Sequence, residues 1–196
     1  MSDDETLAAY AARVAEYEAI VKPEPAASLI AFADALREGG RVLDLGCGPG
    51  HAARYLAGRG FETHAWDASP EMIAAAEAPG VAARVATFEA LKEARDFDGI
   101  FASFSLLHAP RADFAGHVSA IAAALKPRGV LHLGMKLGTG EGRDRIGRFY
   151  SYFTREELLA TLEGAGFETV WEQEGAEAGL AGDVSPFILI RAVKRG

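Results

Sequence analysis

Cysteine is almost absent from this chain. Cys47 is the single one in 196 residues, so no internal disulfide can staple the fold, and a reducing compartment suits it. No apolar run approaches the roughly 20 residues that span a bilayer, which argues against a membrane-embedded role. The start, Met1-Ser2-Asp3-Asp4-Glu5, lacks the basic-then-apolar layout of a secretory signal, so a cytoplasmic location is expected. Basic charge is also scarce. Lys and Arg number 20 against 28 Asp and Glu, a formal net charge of −8, and that disfavours broad contact with a nucleic-acid backbone. A local basic pocket is compatible with it. What remains is a chain that is 49% hydrophobic and 24% charged, the balance of one globular domain.

From Leu7 the apolar positions Leu7, Tyr10, Val14, Tyr17 and Val21 recur at steps of three and four, one face of an amphipathic helix. Lys22-Pro23-Glu24-Pro25 stops it, because proline is excluded from a helix interior. A second helix carries Leu29, Phe32, Ala33 and Leu36 and ends at Gly39-Gly40. Short apolar strands then alternate with helices. Strands are expected at residues 41–45, 61–66, 81–86, 98–107 and 130–136. Ser69-Pro70 opens one helix with a hydroxyl cap and a first-position proline. Asp113 is expected to cap another, closed by Lys126-Pro127-Arg128-Gly129, and Thr154 with Glu157 has capping-box spacing for a third. Residues 167–172 and 186–193 read as two final strands with no helix between them, hence an antiparallel hairpin. The alternation predicts an α/β fold with a mostly parallel sheet covered on both faces. No repeat or linker divides it.

The chemistry is carried by the turn after the first strand, Gly46-Cys47-Gly48-Pro49-Gly50-His51. Such a turn holds nucleotide-like ligands, since glycine permits positive φ and close approach of the backbone. Two details select among ligands. Asp44, two residues before Gly46, would repel a pyrophosphate but favours a ligand bearing an ammonium group. S-Adenosylmethionine, with its amine, carboxylate and sulfonium, suits one acid beside free N–H groups. His51 also fits poorly where a dinucleotide fingerprint wants Gly or Ala. Asp67 follows Gly46 by 21 residues, close to the spacing of an acid that holds ribose hydroxyls. A plainer role, in which Asp67 and Ser69 cap the next helix, stands beside it.

These residues bring a family into view. VLDLGCGPG resembles the first motif of class I S-adenosylmethionine-dependent methyltransferases, and THAWDASPEMI resembles their second. FDGIFASFSLLHAP, LKPRGVLHLG and EELLATLEGAGFETV are similar to later motifs, so the resemblance runs from about Tyr10 to Lys194. It implies a Rossmann-like seven-stranded sheet, mostly parallel, with the last strand antiparallel. It further implies that Gly46, Gly48 and Gly50 line the methionine moiety, with Asp44 near its amine and Asp67 on the ribose. Thr87 stands where the family usually offers an acid to the adenine, which leaves Thr87, Glu89 or backbone for that contact. Ser103 would face the transferred methyl. Cys47, Ala68, Met72 and Phe88 complete the turn and its neighbouring walls, and Tyr17 would approach from residues 1–38, which resemble a helical lid. Packing of that helix on the sheet edge is the simpler alternative.

Beyond the cofactor set, His108 after the fourth strand is a candidate general base for an oxygen or nitrogen nucleophile, or else a histidine that shapes the pocket. Methyl transfer can proceed on alignment alone. His51, His64, His117 and His132 lack metal-ligand spacing, and no metal is expected. Cys47 reads as a packing residue. Lys136, Arg143, Arg145 and Arg148 lie near Phe149, Tyr150 and Tyr152, and form either a pocket for an anionic or aromatic small molecule or a solvated loop. The expected function is methyl transfer to O, N or S of a small molecule, without nucleic-acid or membrane partners; the fourth strand's Ala102-Ser103-Phe104-Ser105 lacks the Asn-Pro-Pro-aromatic signature suited to planar amino groups. A non-catalytic S-adenosylmethionine-binding regulatory module is the first alternative, and an NAD(P)-dependent oxidoreductase a weaker one.

Overall fold

The computed structural model describes residues 3–16 and 25–196; Tyr17 and Val21 of the first helical pattern lie outside the described residues. Helices α1 (Asp4–Ala11) and α2 (Ala27–Asp34) precede a regular alternation: β1 (Arg41–Leu45), α3 (His51–Gly58), β2 (Glu62–Asp67), α4 (Pro70–Ala76), β3 (Val81–Val85), β4 (Phe97–Ser103), α5 (Arg111–Ala124) and β5 (Leu125–Lys136). A small hairpin, β6 (Glu141–Arg143) with β7 (Phe149–Ser151), interrupts the pattern before α6 (Arg155–Gly164), β8 (Phe167–Ala178) and β9 (Val184–Lys194).

Seven strands form one sheet in the order β3-β2-β1-β4-β5-β9-β8. The first five are parallel, β9 runs antiparallel to both β5 and β8, and the α/β expectation with an antiparallel last strand is met. Strand order reverses between β1 and β4, the switch point at whose carboxyl edge open α/β sheets bind ligands. β1 is central, so both its faces are buried. Val42 packs with Leu29 and Phe32 of α2, Leu56 and Phe61 on one side. Leu43 packs on the other, in the larger core that holds Phe114, Ile121, Leu158 and Leu162 of α5 and α6. Within the stretch read as a lid, α2 is thus a layer helix on the sheet.

Three local expectations are revised. β4 stops at Ser103 because Phe104 takes a left-handed φ of +56°, and a 3₁₀ turn at Leu106–His108 follows. Asp113 does not cap α5. Pro110 occupies the cap position with no side-chain bond. Nor does Lys126-Pro127-Arg128-Gly129 end that helix: Leu125 already pairs with Phe97, and the four residues bulge out before Val130 joins Gly99, helped by φ +65° at Arg128. Ser69 does cap α4, and Thr154 with Glu157 forms a complete capping box. Among the described residues, no helix is long and apolar enough to cross a membrane.

Candidate functional site

The turn after β1 hangs on β2. The carbonyl of Trp66 accepts the N–H groups of Gly46 (2.7 Å) and Cys47 (3.0 Å). Gly46 has φ +72°, and a Cβ there would lie 2.2 Å from the Cβ of Ser105, whose hydroxyl donates to the Leu45 carbonyl at 2.6 Å. Gly50 opens α3 at φ +81° against Ala76, whose Cα would lie 2.9 Å from an added Cβ. Only glycine leaves both contacts intact.

Two acids support this turn in different ways. Asp67, at the end of β2, accepts the Gly48 N–H on Oδ2 and the Ser69 N–H on Oδ1, both at 2.9 Å. Burial raises its pKa against those two bonds and the backbone of Ala68. The carboxylate retains acceptor capacity beyond these bonds, and Asp67 lines the cleft above. Asp44 lies beneath. Its Oδ2 accepts the Ala53 N–H at 3.0 Å, satisfying a first-turn donor of α3. Burial, with Asp67 nearby, pushes its pKa up to about 7.

The cleft measures about 820 Å³ including its mouth and the solvent in it. It brings together Gly46, Gly48, Asp67, Ala68, Met72, Thr87, Phe88 and Ser103 from the expected cofactor set, and His108 as well. Asp44, Cys47 and Gly50 do not line it. Cys47 packs among Ala53, Ala65, Ile73 and Ala76, and burial pushes its thiol pKa up. Glu89 does not line the cleft; its carboxylate is engaged by the Thr87 side chain. The cleft fits a nucleoside-bearing ligand: backbone glycines form its floor, a carboxylate faces its middle, and Met72 and Phe88 supply apolar walls.

Asp3, Thr6, Leu7 and Tyr10 of the α1 segment border the same cleft. They are held there by the hairpin. Phe149 donates its N–H to Thr6 Oγ1 at 2.8 Å, and Arg143 pairs with Asp3 (2.7 Å) and Glu5 (3.0 Å). Tyr10 is the hub. His108 Nδ1 lies 2.6 Å from the Phe149 carbonyl, which can only accept, so Nδ1 carries the proton and Nε2 is the acceptor. The Tyr10 hydroxyl, 2.9 Å away, therefore donates to Nε2. It accepts in turn from Arg148 Nη1 at 2.9 Å, while Asp144 binds that guanidinium through Nε and Nη2. Burial, the largest influence, pushes the His108 pKa down to about 4 against the pull of the Phe149 carbonyl.

On the far side of Tyr10 and Phe104 lies a second cavity of about 860 Å³ including its mouth. Lys136, Arg148, Tyr150 and Phe187 are among its walls, and Tyr10 and Phe104 line both spaces. The basic loop is therefore divided: Lys136 and Arg148 face this cavity, Arg143 ties down α1, and Arg145 lies 3.7 Å from Asp183 at the surface. Sequence reasoning missed Phe104 and Ser105 as site residues because it extended β4 through them. The polar pair Ser103 and Ser105 inside an apolar run was the available signal. Among the described residues no group of three His, Cys, Asp or Glu is arranged to hold a metal ion.

Comparison with known proteins gives three kinds of match. Residues 17–173 fit a family model described as a methyltransferase domain. Over 72 residues the chain is 44% identical to the trans-aconitate 2-methyltransferase of Mycobacterium ulcerans (strain Agy99), covering 36% of this chain and 27% of the relative. The match thus spans about a quarter of that relative's length. The Burkholderia thailandensis 1,6-didemethyltoxoflavin-N1-methyltransferase, solved with 1,6-didemethyltoxoflavin and S-adenosylhomocysteine, superposes with a TM-score of 0.76 at 22% identity, over 98% of this chain and 88% of that one. The Haemonchus contortus phosphoethanolamine N-methyltransferase 2 with S-adenosyl-L-methionine gives a TM-score of 0.72 at 19% identity, over 95% and 57%. At these identities the two structures establish a shared fold.

Proposed function

The chain belongs to the methyltransferase-domain family, and from that premise we propose that it transfers a methyl group from S-adenosylmethionine to O, N or S of a small acceptor carrying an anionic group. The observation that carries this reading is the contiguity of two cavities across Tyr10 and Phe104. One has the glycine floor and Asp67; the other has two cations among aromatic rings. When bound, S-adenosylmethionine supplies an electrophilic methyl on a cationic sulfur.

The residues of the chain then divide the work. Asp67 holds ribose hydroxyls with the acceptor capacity that its backbone bonds leave. Gly46 and Gly48 let the ligand approach the backbone, and Ala68, Met72, Thr87 and Phe88 enclose the base. Ser103 borders the transfer point. Asp44 acts from below: by accepting the Ala53 N–H it orients the first turn of α3, so its influence on an amine passes through backbone. Cys47 and Gly50 shape the same turn. His108 positions Tyr10, since its one acceptor nitrogen already accepts the hydrogen bond from the Tyr10 hydroxyl. A base-free transfer relies on alignment and exclusion of water, for which α1 serves as the lid. The anionic acceptor is supported by Lys136 and Arg148, and by a relative whose name gives trans-aconitate as its substrate.

Calorimetry tests the cofactor reading directly. S-Adenosylmethionine and S-adenosylhomocysteine are expected to bind, and NAD(H) is not. Tighter binding of NAD(H) would overturn the proposal. Release of S-adenosylhomocysteine in the presence of small organic acids then tests turnover against a purely regulatory binding role.

A further inference from the structure

The sequence clusters four cations around the hairpin, and the fold supplies carboxylates to three of them. Arg148 is clasped by Asp144 at 2.8 Å, Arg143 by Asp3 and Glu5, and Arg145 lies 3.7 Å from Asp183. Lys136 is different. It is the last residue of β5, opposite Phe187 of β9. Its ammonium lies 4.3 Å from the centre of the Tyr150 ring and 3.4 Å from the Ser185 hydroxyl. Among the described residues no carboxylate comes within 4.0 Å of it. Burial and Arg148 lower its pKa, with Asp144, Asp183 and Glu177 opposing at longer range. A half-buried cation held by a ring face and one long hydrogen bond has lost water without gaining a counter-ion, and an incoming anion relieves that cost.

We propose that the Lys136 ammonium is the anchor for a carboxylate on the acceptor molecule, whose flat, apolar body packs against Phe104 and Phe187 in the second cavity. This rests on the methyltransferase reading above. Phe104 and Phe187 meet edge to face, with ring centres 5.7 Å apart. Phe104 also lines the first cleft, so a ligand seated against it lies beside the donor space. Arg148 contributes positive potential, but its charge is already paired with Asp144, and each of its nitrogens bonds Asp144 or Tyr10. Glu177 is exposed on the cavity rim and disfavours an anion there, which directs the carboxylate inward to Lys136.

Calorimetry on protein loaded with S-adenosylhomocysteine tests the anchor, using cinnamate, benzoate and trans-aconitate, with cinnamamide and benzamide as neutral counterparts. At least one carboxylate should bind wild type, and where an amide counterpart exists the amide should bind about 10-fold more weakly or worse. Lys136→Met should lose about 10-fold or more in carboxylate affinity while binding S-adenosylhomocysteine and melting as wild type does. Lys136→Arg should recover part of the loss. Equal carboxylate affinity in Lys136→Met, or no carboxylate bound by wild type, overturns the anchor and leaves the cofactor reading standing. Failure of S-adenosylhomocysteine to bind wild type overturns both.

Discussion

Asp67 Oδ2 accepts the backbone N–H of Gly48 at 2.9 Å, so the acid at the end of β2 and the glycine turn after β1 form one hydrogen-bonded unit. Any change at Asp67 therefore acts on the shape of the turn as well as on a ligand. Asp67→Ala should weaken S-adenosylhomocysteine binding at least about 10-fold, because it removes a charged acceptor and frees two backbone donors. Asp67→Asn should cost about 1–2 kcal/mol of stability, since its amide turns a donor toward one of those two N–H groups. Unchanged affinity in Asp67→Ala, read by calorimetry, removes Asp67 from the site.

Asp44 provides the contrast. It accepts from Ala53 and does not line the cleft, so Asp44→Asn, which keeps an acceptor oxygen, should retain cofactor affinity within a few-fold. Asp44→Leu should lose about 1–3 kcal/mol of stability by stranding the Ala53 N–H. A large affinity loss in Asp44→Asn with an unaltered melting temperature would instead indicate direct contact with the ligand's amine.

Gly46→Ala combines a positive φ with a Cβ set 2.2 Å from the Ser105 Cβ. Neither group is the flexible end of a side chain, so the turn or the Ser105 backbone must move. The expected destabilisation is about 2 kcal/mol or more in urea unfolding. Adding Ser105→Gly should relieve the clash but not the backbone strain. Because it also deletes the hydroxyl bond to the Leu45 carbonyl, the double variant should be compared with Ser105→Gly alone, against which Gly46→Ala should still cost roughly 1 kcal/mol. Equal stability of those two variants would show that φ is not a constraint.

His132 is buried and stacked on Phe101, with ring centres 4.3 Å apart, and its Nε2 has no hydrogen-bond partner among the described residues. Burial, then Arg191, pushes its pKa down to about 3. The folded state thus keeps it neutral while the unfolded chain takes up a proton below about pH 6.5. Its contribution to stability is present above that pH and falls by up to about 1.4 kcal/mol per pH unit as pH drops toward 3. Asp44, raised to about 7, acts in the opposite direction between its folded value and about 3.9, where an unfolded aspartate titrates. A comparison of variants isolates the histidine. His132→Phe should gain on wild type progressively from pH 6.5 to 4.5, as measured by denaturant unfolding; a constant difference across that range would contradict neutral burial.

Much of the fold was written in local pattern. Strands alternating with helices, Ser69-Pro70, and the Thr154–Glu157 capping box each act within a few residues, and each formed as read. The spacing from Gly46 to Asp67 was legible for the same reason: one strand–turn–helix–strand unit brings the two together with little freedom. Where local signals competed, the sequence misled. An apolar run concealed the end of β4 at Phe104, and Lys126-Pro127-Arg128-Gly129 reads as a helix stop although it bulges from a strand pair.

The amino-acid sequence alone determined the layered α/β architecture and the glycine turn with its acid, because periodicity and backbone freedom are properties of short segments. Only the tertiary structure decided that Asp44 faces α3 and not the cleft, that Tyr10 takes the acceptor nitrogen of His108, and that three loop cations find carboxylates while Lys136, among the described residues, does not. Those outcomes depend on partners up to 140 residues away. Charge pairing and proton position are set by distance in space, which no local pattern encodes.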